Sequence, residues 1–290
     1  MEIINVIGLG VTGSATAEVL RRLGHQVRVF DVSRDRQRQL EDLGFAPLRK
    51  DEGDVTLVCV PESNVRSALD IAPPNSMWIL RSTTIPGETK ALENVYDHHI
   101  IHFPEFLREA VALQDALSPN YLLIGECCLE HGSVVEKLFT PLLAPIVRVD
   151  STTSEMVKLV ANAHLSTLIS FWNQIYMICS QLGLNSMIIG KIASQDPRIS
   201  PYGAIRHGER FDGSCLPKDL EAIIALAERS LVDPLLLTAV RSVNESMSEA
   251  TTHDGFGLSD NLSSLRVSHN GARPQPTKID RLVRTEDEDQ

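Results

Sequence analysis

The stretch "VIGLGVTGSATAEVL" constrains this chain more than any other, because it sets Gly8, Gly10 and Gly13 in G-x-G-x-x-G spacing between a strand-like apolar run and a helix-like one. Each glycine has its own task in such a turn. Gly8 permits the tight bend, Gly10 lets a pyrophosphate approach the backbone, and Gly13 lets helix and strand pack closely. The free amides of the helix N-terminus then face the phosphates. The next apolar run, "VRVFD", ends in Asp31, eighteen residues after Gly13. A carboxylate there accepts hydrogen bonds from a ribose diol and repels a 2′-phosphate, which favours NAD as cofactor over NADP. Arg34 and Arg36 lie just beyond and leave a route to a 2′-phosphate open. Cofactor contacts are also expected at Val11, Thr12, Val60, Pro61, Thr83 and Glu109.

Beyond that turn, apolar runs alternate with helical stretches through "RDRQRQLEDLG", "VTLVCV", "MWILRS", "IIHF", "YLLIG" and "IVRV". This rhythm belongs to an α/β fold: a doubly wound parallel sheet of the Rossmann type, helices on both faces, expected over residues 1–150. Near residue 150 the pattern changes. "TSEMVKLVANAHLSTLISFWNQIYMICSQLG" runs without Pro or internal Gly and reads as one helix over 154–182, with Gly183 as its C-cap. A second helical region spans 218–249, interrupted at Pro234. Residues 151–250 are thus expected as an all-helical domain built on the long helix. Residues 251–290 are polar and turn-rich and are expected as a disordered tail.

Glu155, Lys158, Asn162, Ser166 and Asn173 are spaced by three, four, four and seven on the long helix and share one face. Apolar residues (Met156, Leu159, Val160, Leu165, Leu168, Ile169, Phe171, Trp172) fill most of the remainder. A helix so widely covered must satisfy its polar stripe through protein partners or a ligand, and a ligand is the expectation. Further on, "DGSCLPKDL" puts Cys215 just before a helix beginning at Pro217, Lys218 and Asp219, where backbone amides converge.

Together these motifs resemble the UDP-glucose/GDP-mannose dehydrogenase family of nucleotide-sugar dehydrogenases. The resemblance spans roughly residues 1–250 and rests on the order of "GLGVTG", "STTIPGET", "PEFLREA", "EMVKLVANAHLSTLISFWNQI", "GSCLPKDL" and "DPLLLTAVRSVNESM". It implies an enzyme that oxidises a sugar primary alcohol to the carboxylate with two NAD per turnover. By this likeness Cys215 captures the aldehyde as a thiohemiacetal, which is oxidised to a thioester and hydrolysed. Lys158 and Asn162 stabilise the substrate oxygen as charge develops. Asp219 and Thr83 position water or assist proton movement, and Glu105 acts as general base with Glu109 a nearby candidate. The resemblance also implies a homodimer built through the long helix. Three features depart from the family pattern. Asp212 stands beside Gly213 near the thiol, Leu168 replaces a common lysine, and residues 251–290 stand where members carry a third, nucleotide-gripping domain. The alternatives left open are a smaller substrate such as a nucleoside or simple sugar, a required partner chain, and an inactive remnant. A β-hydroxyacid dehydrogenase, making one hydride transfer without the thiol, is the enzymatic rival. A non-catalytic NAD-binding protein is the other.

A net charge of -11 argues against a nucleic-acid partner. No apolar run is long enough for a bilayer and no signal peptide is read, so membrane association is not expected. Cys59, Cys127, Cys128, Cys179 and Cys215 show neither disulfide-framework nor zinc spacing, which suits a reducing cytoplasm. "DHHIIH" offers His98, His99 and His102, yet no thiol or carboxylate spacing completes a site, and no metal is expected.

Overall fold

The computed structural model describes residues 2–205 and 207–250; the expected tail, 251–290, lies outside the described residues. The chain divides into two compact units, Met1–Ala161 and Asn162–Gln290.

In the first unit the apolar runs become strands and the amphipathic stretches become the helices between them. In chain order they are β1 (Ile3–Ile7), α1 (Val11–Arg22), β2 (Gln26–Phe30), α2 (Arg34–Asp42), β3 (Ala46–Pro47), β4 (Val55–Val58) and α3 (Val65–Leu69). Then come β5 (Met77–Leu80), α4 (Glu88–Tyr96), β6 (Ile100–His102), α5 (Ala112–Leu117), β7 (Leu122–Glu126), α6 (Leu129–Phe139) and β8 (Ile146–Asp150). All eight strands form one sheet in the order β3-β2-β1-β4-β5-β6-β7-β8. The chain winds outward from β1 in both directions, so the strand order reverses between β1 and β4, the position at which ligands meet open α/β sheets. Two apolar clusters fill the unit. One includes Ile4, Val6, Leu20, Leu57, Ile79, Phe103 and Ile124; the other includes Ile7, Val58, Leu69, Trp78, Leu80, Leu92 and Ile100. In β1, β4, β5 and β6 adjacent residues such as Val6 and Ile7 or Ile79 and Leu80 go to different clusters, because successive side chains point to opposite faces.

The sheet is not wholly parallel: β6 pairs antiparallel with β7 through His102 and Gly125, whereas β7 and β8 run parallel. Apolar content could not report this, since strands covered on both faces read alike in either direction.

The long helix, α7, runs Ser151–Leu182. It stops at Gly183, whose φ of +66° suits a glycine past a helix end. The boundary between the units falls inside α7, eleven residues beyond the change of pattern at 150. The second unit continues with α8 (Ser186–Ala193), α9 (Pro201–Ala204), α10 (Leu216–Arg229) and α11 (Leu235–Ala250), the last two divided around Pro234. Its buried side chains include Trp172, Phe211, Leu220, Ile224 and Val240. Gly203 lies so close to the Leu168 carbonyl that any side chain there would clash, so α9 is held directly on the α7 backbone. Among the described residues no helix is long and apolar enough to cross a membrane.

Candidate active site

The three glycines of the turn have three different steric settings. Gly8 has φ +91°, and a Cβ there would meet the Cys59 carbonyl oxygen at 2.7 Å and Val60 Cγ1 at 2.6 Å. A Cβ on Gly13 would collide with the Gly8 carbonyl oxygen, so α1 rests against the turn only because residue 13 has no side chain. Above Gly10, by contrast, a Cβ would meet nothing within 4 Å. The turn is therefore open at the one glycine assigned to pyrophosphate approach, and the N-terminal amides of α1 begin immediately after it at Val11 and Thr12. Those are the features that a dinucleotide requires of this chain, and the residues fit it.

Asp31 closes the turn from the end of β2. Its carboxylate accepts from Leu9 N–H at 2.6 Å and from Ser33 N–H at 2.7 Å, with the Arg36 guanidinium 4.0 Å away. Two acceptor positions are spent on the backbone, and a carboxylate has about four, so capacity for a ribose diol remains. Val60 and Pro61 follow β4, and Ser82 Oγ donates to the Val60 carbonyl at 2.5 Å. Thr83 is half-buried after β5, while Glu109 is exposed on the segment before α5.

Glu105 and Lys158 form the polar centre of the first unit. Lys158 Nζ donates to the Glu105 carbonyl at 2.6 Å, lies 3.5 Å from Glu105 Oε1, and sits 5.1 Å from the centroid of the Phe106 ring. Leu107 N–H donates to Glu105 Oε2 at 2.5 Å. Both charged side chains are largely buried, so neither wanders in solvent.

In the second unit Asn162 Nδ2 donates to Asp219 Oδ2 at 2.5 Å, and Lys218 Nζ contacts Asp219 Oδ1 at 2.5 Å. The Asp219 carboxylate is almost completely buried, with one neutral and one cationic donor to satisfy it. Cys215 is the residue preceding α10; Asp219 N–H donates to its carbonyl at 2.9 Å. Of the five cysteines, all unpaired, it is the exposed one. The Asp212 carboxylate accepts from Gly213 N–H at 2.6 Å and pairs with Arg210 at 3.5 Å, in solvent.

The polar stripe on α7 is thus met by the protein itself, and the expected ligand is not needed to explain it. Glu155, fully buried, accepts from Thr84 Oγ1, Gly87 N, Thr89 N and Thr89 Oγ1 at 2.6–3.0 Å. It caps the N-terminus of α4, which has no side-chain cap of its own. Burial pushes its carboxyl up, and these donors draw it part of the way back. Ser166 bonds the Asn162 carbonyl, and Asn173 bonds Glu209 and Gly208.

Arg81 escaped the sequence reading, and the burial of His102, weighed there only as a metal ligand, was not read. Arg81 follows β5 with its guanidinium 4.7 Å from the centroid of the Phe103 ring and its Nε without a partner, and burial lowers its pKa. A charge closing the otherwise apolar "MWIL" was the available signal. His102 is sealed within β6, its Nδ1 2.9 Å from Ser154 Oγ and its Nε2 unpartnered; burial pushes its pKa down to about 3. The thiol of Cys59 is pushed up to about 12, chiefly by burial, which removes it as a candidate nucleophile.

Comparison with known proteins agrees with this architecture. Residues 3–91 match the model for the C-terminal domain of alanine dehydrogenase/PNT, and residues 152–246 match that for the central domain of the UDP-glucose/GDP-mannose dehydrogenase family. UDP-glucose 6-dehydrogenase YwqF of Bacillus subtilis (strain 168) is 28% identical over 84% of this chain and 66% of its own length. GDP-mannose 6-dehydrogenase of Pseudomonas putida is 27% identical over 84% of this chain and 68% of its own. A UDP-glucose dehydrogenase structure from Pyrobaculum islandicum superposes with TM-score 0.79 at 24% identity, covering 86% of this chain and 69% of that one, and shows the shared fold. The chain spans about two thirds of the length of these relatives. Over residues 152–246 it is similar to the central domain of the UDP-glucose/GDP-mannose dehydrogenase family.

Proposed function

We propose that the chain binds NAD at the glycine turn and oxidises the primary alcohol of a nucleotide sugar, or of a smaller sugar or nucleoside, to the carboxylate. The observation that carries this reading is the thiol of Cys215, exposed at the start of α10, four residues before the buried Asp219 that Asn162 and Lys218 contact. NAD, when bound, accepts the hydride in each of two successive oxidations. Gly8, Gly10, Val11, Thr12 and Gly13 hold its phosphates and Asp31 its ribose, with Val60, Pro61, Thr83 and Glu109 as further contacts.

Cys215 serves to retain the intermediate. Its sulfur adds to the aldehyde carbon, and the carbonyl oxygen takes up a proton to give a thiohemiacetal. Loss of a hydride and a proton leaves a thioester, and water then releases the carboxylate and returns the thiol. A free aldehyde never leaves between the two oxidations. Lys158 and Asn162 stabilise the oxygen as charge develops. Lys158 has three N–H donors and Asn162 two, so each keeps a donor beyond those committed to Glu105 and Asp219. Glu105 takes the alcohol proton, and Asp219 with Thr83 positions the hydrolytic water.

A homodimer through α7 is part of the reading. Met156, Val160, Phe171, Ile178 and Leu182 are exposed on one face along it, apolar side chains of the kind that helix pairing covers. Five unpaired thiols suit a reducing cytoplasm.

The test is NADH release by the purified chain offered UDP-glucose, GDP-mannose, free nucleosides and simple sugars with NAD. Turnover of one class, lost in Cys215→Ser, is expected. No turnover of any class, or turnover unchanged in Cys215→Ser, overturns the reading.

A further inference from the structure

We propose that His99, Cys127, Cys128 and His131 form a binding site for a zinc-class divalent cation, apart from the residues assigned to catalysis. Ligand atoms of His99, Cys127 and His131 all lie within 4.8 Å of one another. The His131 Nδ1 atom is 3.4 Å from Cys127 Sγ and 3.3 Å from Cys128 Sγ, and the two sulfurs are 3.9 Å apart. A tetrahedral ion with metal–sulfur bonds of ~2.3 Å and metal–nitrogen bonds of ~2.0–2.1 Å holds neighbouring ligand atoms about 3.4–3.8 Å apart. The three measured separations fall at those tetrahedral edges within a few tenths of an ångström. The fourth ligand, His99, is exposed, with its ring centroid 4.7 Å from that of His131.

The donor set selects the ion. Two thiols and two imidazoles suit zinc, whereas magnesium and calcium need oxygen ligands. Two thiolates would balance a divalent charge. Cys128 occupies the N-cap of α6 and makes no side-chain capping bond, so its sulfur is not committed to the helix as a Ser or Asp oxygen would be.

Sequence spacing concealed the cluster because its halves come from different strands. His99 precedes β6, and the thiols follow β7, with His131 in the first turn of α6. The antiparallel pairing of His102 with Gly125 is what brings them side by side. A bound ion would therefore fasten the only antiparallel junction among the described strands.

The test uses the full chain, stripped of metal under reducing conditions and titrated with Co(II). One equivalent should give the intense visible d–d bands of tetrahedral Co(II) with a sulfur-to-cobalt charge-transfer band, and equimolar Zn(II) should abolish both. His131→Ala and Cys127→Ser should each weaken binding by at least about tenfold, the lower end of what even outer-shell changes cost a metal site. Cys215→Ser should leave the bands in place. The proposal is overturned if the wild type shows only weak octahedral bands or none, or if the bands depend on Cys215 and survive His131→Ala. The wild-type spectrum reads geometry and sulfur ligation by itself, so a variant that fails to fold does not obscure the result.

Discussion

Replacing Gly13 with alanine drives a methyl group into the Gly8 carbonyl oxygen, a backbone atom that cannot swing aside. The expected cost is about 1–3 kcal/mol of stability, seen as a lower urea midpoint. Gly10→Ala enters open space at φ -69°, which alanine adopts freely. It should leave stability within about 0.5 kcal/mol and yet weaken NAD binding at least about tenfold by calorimetry. Equal NAD affinity in Gly10→Ala would mean that the opening is not where the pyrophosphate lies. His102 makes a prediction in pH. Its imidazole protonates near pH 6.5 when unfolded and near 3 when buried, so unfolding takes up a proton between those values. Its contribution is complete above about pH 6.5 and is lost at about 1.4 kcal/mol per pH unit as pH falls toward 3. From pH 7 to 5 the wild type should lose about 2 kcal/mol more than His102→Gln, because carboxylates titrate alike in both; parallel curves would contradict this. The tight packing at Gly8 and Gly13 was legible because a turn is a local object. The burial of Arg81 and His102 was not, because it depends on strands distant in sequence.

α7 shows how far periodicity reaches. Its length and stopping residue follow from an uninterrupted helical pattern ending in glycine, and its polar stripe follows from the spacing. What satisfies that stripe does not follow. Glu155 meets four donors around the start of α4, some sixty-six to seventy-one residues earlier, and no spacing within α7 announces them. Glu155→Ala should therefore act as the loss of a helix cap and of several charge-assisted hydrogen bonds together. About 3 kcal/mol or more of stability should go, with exchange protection lost first in residues 88–96. Unchanged protection there would show that α4 is capped by other means. The direction of β6 against β7 was hidden for a related reason: both strands are apolar, and apolar content carries no direction. The metal cluster was hidden with it.

At the scale of the molecule, the expected domain boundary at 150 marks where strands cease, whereas the compact units part inside α7. A helix of 32 residues is long enough to serve both. The apolar stripe on α7 argues for a second copy, and Phe171→Asp should shift the protein to monomer in sedimentation if that stripe is the interface; an unchanged species would place the dimer contact elsewhere. The account rests most heavily on a single thiol turning one alcohol into an acid without releasing the aldehyde. The most direct test is the number of NADH formed per alcohol consumed, measured to completion with the substrate found in the screen. The account predicts two, with the carboxylate as the only product; one NADH per alcohol, with aldehyde or ketone accumulating, would contradict it.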